Sequence, residues 1–451
     1  MMNNVRLSTL NLNPPQHFNG CSLLLSRTVP DGETARAGER DSLRSGPHKA
    51  LYSATLSHPS PLIRLLPLQS RSLLPPLSLP LRPLSQALVG PTSFIPTPFG
   101  CREKKRKENS ELLPVPVISV GNLTWGGNGK TPMVEFIARW LSDSGISPLI
   151  LTRGYAGGDE ARMLERHLFG TPTKIGVGAN RAAIAACCFE RYGYIDPRSS
   201  TCDHKLCLDK NVESHLNSEK IGAVILDDGM QHWSLQRDLE IVMVNGLMLW
   251  GNGQLLPLGP LREPLTALRR ADAAVIHYAD LVSEQNLKDI EFMMREVKES
   301  LPIFYTRMTP SHFFEVANIN SKLPLEALCD AIILCVSAIG SANAFVNAME
   351  KIGASYVDRL DFSDHHVFQA TDVEMIRRRL GELEDKFGSQ PVIVITEKDY
   401  DRDSEILKHL HPCKVLALCS VLQVLSHKGC TENGFRKFLE ELLRVKLAGP
   451  N

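Results

Sequence analysis

The pattern of apolar and polar positions changes character near residue 114. Val115, Val117, Ile118 and Val120 form a short β-branched run, as expected of a strand buried on both faces. From Met133 to Leu141 the spacing becomes helical, with Val134, Ile137, Ala138 and Leu141 on one face. Pro132 sits in the first turn, where a missing N–H costs nothing. Pro148–Leu151 predicts a second strand, a helix runs from Ala161, and Ile221–Leu226 predicts another strand. Beyond residue 311 strands are predicted at Ile332–Val336, Val392–Ile395 and Val415–Ala417. Helices are predicted there at Ala342–Ile352, Val373–Phe387 and Gly434–Leu443, so this part reads as α/β.

Residues 1–113 do not share the pattern. Leu62–Leu88 is rich in Leu, but Pro67, Pro75, Pro76, Pro80 and Pro83 interrupt it too often for a helix to persist. The first hundred residues hold 14 of the 29 prolines and carry 9 basic against 4 acidic residues, a net of +5. The chain has 50 basic and 50 acidic residues, so the remainder carries −5 and the overall zero is a sum of two unlike pieces. An Arg/Ser-rich, acid-poor leader suits an organelle transit peptide; a disordered extension or a wrongly predicted first exon is the alternative. Asp31, Glu33, Glu39 and Asp41 interrupt the basic bias. The run Arg102, Lys104, Lys105, Arg106, Lys107 reads first as a solvated linker and otherwise as a contact for anionic headgroups. The neutral total argues against coating nucleic acid by bulk charge. No apolar run reaches 18 residues, so no transmembrane helix is predicted. The 11 cysteines are scattered, which fits a reducing compartment better than a disulfide framework.

The chemistry begins after the first strand. Gly121-Asn122-Leu123-Thr124-Trp125-Gly126-Gly127-Asn128-Gly129-Lys130-Thr131 joins strand to helix, the context a phosphate loop needs. Glycines let backbone N–H groups turn toward phosphate oxygens, and the helix N-terminus adds positive potential. Lys130 would reach the β- and γ-phosphates, and the Thr131 hydroxyl would ligate Mg²⁺. The strict motif has Gly where this chain has Thr124; a Gly-rich turn that only packs helix on strand is the alternative. Ile221–Leu226 ends in Asp227-Asp228-Gly229, a Walker-B arrangement for Mg²⁺. Thr396-Glu397-Lys398-Asp399 follows a strand but lacks the Asn of a guanine-selecting motif.

A phosphotransferase also needs a group that accepts or orients the acceptor's proton. Candidates are Arg153-Gly154-Tyr155, Gly158-Asp159-Glu160, Gln231-His232 and Asp364-His365-His366. Each has a plainer reading as a turn, an N-cap or a packed pair. Cys202, His204 and Cys207 lie in a polar insertion, Asp196–Glu219, with poor spacing for a metal site.

These segments together resemble the tetraacyldisaccharide 4′-kinase family. The resemblance rests on Pro114–Pro132, Thr152–Tyr155, Gly158–Glu160, Gly178–Ala183 and Leu226–His232, in that order. It continues through Arg237–Val242, Gly251–Pro264, Ala338–Gly340, Phe362–His366 and Thr396–Asp399. The family's loop also lacks Gly at the position of Thr124. The resemblance implies transfer of the ATP γ-phosphoryl group to the 4′-hydroxyl of a tetraacyl glucosamine disaccharide 1-phosphate in lipid A biosynthesis. It implies a P-loop lobe with a mostly parallel sheet at 114–310 and a smaller C-terminal α/β lobe at 311–451, following the extension at 1–113. Gly126, Gly127, Asn128, Gly129, Lys130 and Thr131 would hold ATP. Asp159 would be the base, with His365 paired to it because this first His follows the motif Asp. Glu160, Asp227, Asp228 and Thr131 would form the Mg²⁺ shell, and Arg153 and His232 would contact the substrate. Expected partners are the lipid disaccharide and a peripheral membrane surface, with no nucleic acid or protein partner. The expected location is mitochondrial, with cytoplasmic as the alternative. Bacterial members usually carry a membrane-associated helix before the loop strand, and 62–113 shows none. The rival class is a regulatory P-loop ATPase, disfavoured because Trp125 stands where such loops commonly place a signature Lys.

Overall fold

In the computed structural model, residues 110–154, 158–195 and 219–448 are described, and all of them belong to one compact unit. The leader, the basic run, Tyr155 and the Cys202–Cys207 insertion lie outside the described residues.

The apolar run after residue 114 becomes β1 (Val117–Asn122), buried along its whole length. It pairs in parallel with β4 (Ile221–Asp227) on one side and β5 (Leu239–Asn245) on the other. Beyond β4 lie β2 (Ser147–Thr152) and β3 (Lys174–Val177); beyond β5 lie β6 (Ala273–His277) and β7 (Ile303–Glu315). The chain leaves β1 at the point where the strand order reverses, which is where open α/β sheets bind ligands. Helices α1 (Lys130–Asp143), α2 (Asp159–His167), α3 (Arg181–Tyr192) and α4 (Glu284–Val297) belong to this half. In α1 the predicted stripe of Val134, Ile137, Ala138 and Leu141 is buried against the sheet.

The second half contains β8 (Asn318–Leu323), β9 (Ile332–Ser337), β10 (Tyr356–Asp361), β11 (Val392–Thr396) and β12 (Val415–Val424). Strands β10, β9, β11 and β12 are parallel to one another, and β12 joins them to the first half by running antiparallel to β7. Helices α5 (Ala342–Ile352), α6 (Ala370–Phe387), α7 (Glu397–Arg402), α8 (Ser404–Lys408) and α9 (Glu432–Ala448) complete the fold. The predicted elements of the C-terminal segment all form. Strands β8 and β10 and the short helices α7 and α8 were not expected; the Tyr-Val-Asp-Arg-Leu-Asp sequence of β10 is half polar, and as an edge strand it is recruited by pairing with β9.

The two halves are staggered along β7. Strand β6 meets β7 only at Ile303–Thr306. Strand β11 meets β12 only at Val415–Leu418, and Leu418 lies opposite Phe313. Between those levels, Arg307–His312 and Cys419–Gln423 form a two-stranded bridge. The carboxyl ends of the parallel strands in both halves point toward that bridge from opposite sides. The expected boundary at 310/311 falls inside β7, and α9 returns to the first half, where Phe435, Leu439 and Leu443 pack with Met133 and Ile137.

Phe435 is fully buried, with its ring centroid 4.7 Å from that of Phe304 and 6.0 Å from that of Phe136. Phe435→Ala should lower unfolding free energy by about 3–5 kcal/mol, read as a shift in the urea midpoint.

Candidate active site

The phosphate loop is held open by its own side chains. The Asn122 amide donates to Thr124 O (2.7 Å), and the Asn128 amide donates to Gly126 O (2.9 Å). The Thr124 hydroxyl donates to Asn128 Oδ1 (3.2 Å), so the residue that breaks the strict motif is a buried brace of the loop. From β5, the Asn245 amide donates to Gly127 O (2.7 Å). Gly129 caps α1 with φ 76°, and a Cβ there would stand 2.6 Å from the His277 ring, so both conformation and space demand glycine. No side chain caps α1, which leaves its first N–H groups for an anion. The Gly251–Pro264 segment supports the loop from outside: Trp125 N donates to Pro260 O (2.7 Å) and Arg262 N to Leu123 O (2.7 Å).

The two Walker-B carboxylates have different surroundings. Arg262 Nη1 lies 2.7 and 2.8 Å from the oxygens of Asp228, and Lys130 Nζ lies 3.7 Å from Oδ1. Burial alone would push the Asp228 carboxyl up, but Lys130 and Arg262 hold it below the usual range. Its oxygens are engaged in ion pairs, which gives Asp228 a role in anchoring Lys130 and Arg262. Asp227 is buried with both carboxylate oxygens lacking a hydrogen-bond partner. Burial and the charge of Glu160 push its carboxyl up to about 7. An orphaned buried carboxylate beside the phosphate loop suits a divalent cation that completes its shell with phosphate oxygens and water. Asp227 with Thr131 at the start of α1, and Glu160 across the cleft, could hold Mg²⁺. Among the described residues, no cluster of three His, Cys, Asp or Glu side chains could hold a metal by itself.

Helix α2 brings the expected base to the second half. Asp159 begins α2 and is 0% exposed. Its Oδ2 lies 3.3 Å from Arg402 Nη2 and 3.7 Å from His365 Nδ1, and its Oδ1 accepts from Glu160 N (3.0 Å). Burial would push this carboxyl up; His365, Lys398 and Arg402 together hold it below the usual range. The 3.7 Å separation is too long for a hydrogen bond. His365 has φ 63°, unusual for a residue with a side chain, and it lines the cleft while Asp159 lies behind it. The sequence expectation put Asp159 against the acceptor hydroxyl; its burial instead makes His365 the member of the pair that reaches the cleft. His366 hydrogen-bonds Asp372 (2.7 Å) and stacks on Phe362, which is structural work.

Helix α7 clamps α2. Arg162 donates to the carbonyls of Asp401 and Arg402, Arg166 pairs with Glu397 (2.9 Å) and Asp401 (2.7 Å), and Lys398 lies 3.6 Å from Glu160. His167 bridges Glu135 (2.7 Å) and Glu397 (2.6 Å). Arg402 also pairs with Asp399 (2.8 Å), which accepts from Ala338 N (3.2 Å). Asp399 therefore anchors the turn that carries Gly340 close against Gly127, a structural task for the stretch that superficially resembled a guanine motif.

One cleft of about 1070 Å³ runs past the phosphate loop, lined by Lys130, Arg153, Arg181, Arg262, His365 and Lys398 among others. His232 also lines it, with Nε2 2.8 Å from the Ser234 hydroxyl. Burial and the charges of Arg181, Arg237 and Arg153 push its imidazole down to about 4, so it is neutral near pH 7. The arginines and lysines among its lining side chains can bind phosphate oxygens. Sequence patterns did not single out Arg402, Lys398, His277 or Asn245 for any role, because their partners come from distant parts of the chain. Arg181 and Arg262 lay inside matching stretches, without an assigned task.

A phosphate loop at the switch point of a parallel sheet, with an imidazole–carboxylate pair at the same cleft, defines the class: a P-loop kinase. The crystal structure of LpxK from Aquifex aeolicus in complex with ATP has the same fold, at 22% identity and TM-score 0.50, covering 76% of this chain and 94% of that one. The chain belongs to the tetraacyldisaccharide-1-P 4′-kinase family, whose sequence model matches residues 80–444. It is 63% identical over 334 residues to the "Probable tetraacyldisaccharide 4'-kinase, mitochondrial" of Arabidopsis thaliana, covering 74% of this chain and 84% of the relative. It is 30% identical over 314 residues to the tetraacyldisaccharide 4′-kinase of Halothermothrix orenii, covering 63% and 73%.

Two outcomes follow from the α2–α7 clamp. Arg402, 1% exposed, separates two buried carboxylates. Arg402→Met should cost about 3–5 kcal/mol of stability by leaving Asp159 and Asp399 unpaired, measured by urea unfolding. Burial would push the His167 imidazole down, but its bonds to Glu135 and Glu397 raise it to about 9. A raised folded-state value means that the stabilisation is complete below about pH 6.5, amounts to about 3 kcal/mol there, and is lost as pH rises through about 9. The melting-temperature gap between wild type and His167→Gln should therefore be widest at pH 6, narrow between about pH 6.5 and 9, and be smallest above pH 9.

Proposed function

We propose that this chain transfers the γ-phosphoryl group of ATP to the 4′-hydroxyl of a tetraacyl glucosamine disaccharide 1-phosphate, the 4′-kinase step of lipid A biosynthesis. The observation that carries this reading is the 63% identity to the Arabidopsis relative, which extends over most of both chains. The geometry supports it. The backbone N–H groups of Gly126–Gly129 and the Lys130 ammonium bind the triphosphate and neutralise its charge, which is most of what phosphoryl transfer asks of a protein. Thr131 and Asp227, with help from Glu160, would hold Mg²⁺, which would supply neutralisation of phosphate charge. His365 from the opposite edge, paired with Asp159 of α2, takes the acceptor's proton, with the imidazole at the cleft surface and the carboxylate orienting it from behind. Arg153 and Arg181, with neutral His232 beside them, suit the acceptor's own phosphate.

The acceptor is a lipid, so the enzyme works peripherally at a membrane surface. No helix among the described residues is long and apolar enough to cross a membrane. The name of the Arabidopsis relative supports a mitochondrial location.

Purified protein incubated with γ-labelled ATP, Mg²⁺ and the disaccharide 1-phosphate should yield labelled lipid, and EDTA should abolish the signal. Asp159→Asn and His365→Ala should each lower kcat by about 10²–10⁴, the usual worth of acid–base assistance. Folded protein that labels no lipid would overturn the reading.

A further inference from the structure

Between Glu240 and Arg262 the chain has 21 consecutive residues without a charged side chain. The first of these form β5, but Gly251–Leu258 is exposed at every position. Leu258 is 75% exposed, Met248 55% and Leu256 48%, with Leu247 and Leu255 also exposed. With Trp125, which hydrogen-bonds to the same segment, they make up six of the fifteen exposed large apolar side chains among the described residues. A soluble surface rarely gathers so much apolar area in one place without a partner.

The backbone here is internally paired. Leu256 N donates to Leu261 O (2.8 Å), Leu258 N to Leu255 O (2.9 Å) and Leu261 N to Gln254 O (3.1 Å). The Asn252 side chain donates to Leu258 O (2.8 Å) and accepts from Gln254 N (3.1 Å). Such pairing is compatible with a layer without water, where a segment must satisfy its polar backbone groups itself.

We propose that Leu247–Leu258 is a membrane-docking element whose apolar side chains insert into the acyl layer of a lipid bilayer. The choice of a bilayer as occupant rests on the lipid-kinase reading above and on three features. Leu256 also lines the cleft, so the patch is continuous with the place where the sugar of a membrane-borne acceptor would sit. Arg262 lies over the Trp125 ring at 5.4 Å, an amphipathic pair suited to the headgroup level. The stretch from Ile241 to Leu261 has no charged side chain with which a protein partner could pair. The docked loop delivers the headgroup to the cleft while the acyl chains stay in the bilayer.

The test is co-sedimentation of the full chain with phosphatidylcholine–cardiolipin vesicles, comparing wild type with the Met248→Ser/Leu255→Ser/Leu258→Ser variant. All three side chains are exposed, so the variant should keep the wild-type melting temperature and nucleotide affinity. Its vesicle affinity should fall about tenfold or more. Equal pelleting of both proteins, or no pelleting of wild type, overturns the proposal. So does a wild type that self-associates without vesicles while the variant stays monomeric, since the patch would then belong to a second copy of the chain. Vesicle binding is read without phosphoryl transfer, so a failure of the kinase reading and a failure of docking give separate signals.

Discussion

Strands β7 and β12 run antiparallel along most of their length, but each half of the sheet joins them at a different end. In a continuous sheet with opposed directions, the carboxyl edges of two parallel halves would normally face away from each other. The offset along β7 turns them toward each other across a two-stranded bridge. Parallel strands place ligand-binding loops at their carboxyl ends, so this stagger gathers two sets of loops into one cleft. The phosphate loop, Asp227 and His277 come from one edge; His365, Lys398 and the Gly340 turn come from the other.

The second constraint is the burial of charge at the contact between α2 and α7. Asp159, Asp399 and Arg402 are almost completely removed from water, which is costly for each group alone and tolerable only when they are paired. Pairing locks their positions. The same contact that fixes Asp159 behind His365 also fixes the turn carrying Gly340 against the phosphate loop. Catalytic geometry and the seam between halves thus rest on one buried network.

Much of the site was legible in local sequence. The phosphate loop could be read because strand, glycines, Lys130 and helix are contiguous, and their chemistry depends on backbone conformations that short segments set. The resemblance placed Asp159 and His365 together, although 206 positions separate them in the chain. What it did not give was their order: burial puts the carboxylate behind and the imidazole in front. Nor could it separate Asp227 from Asp228, two adjacent acids of which one is engaged by Arg262 and Lys130 while the other has both oxygens unpartnered. Arg402 was invisible, because nothing in its neighbourhood of the chain distinguishes it from a surface arginine.

Apolar periodicity and glycine placement by themselves determined the α/β class, about half of the helices and strands, and the nucleotide loop, since these depend on interactions between residues close in the chain. The extra and half-polar strands, the stagger of the halves and the division of labour among neighbouring acids and histidines were decided only by the tertiary structure. Those features depend on which groups lose water and which distant partner then compensates them. Such desolvation is a property of the packed molecule, and local sequence does not contain it.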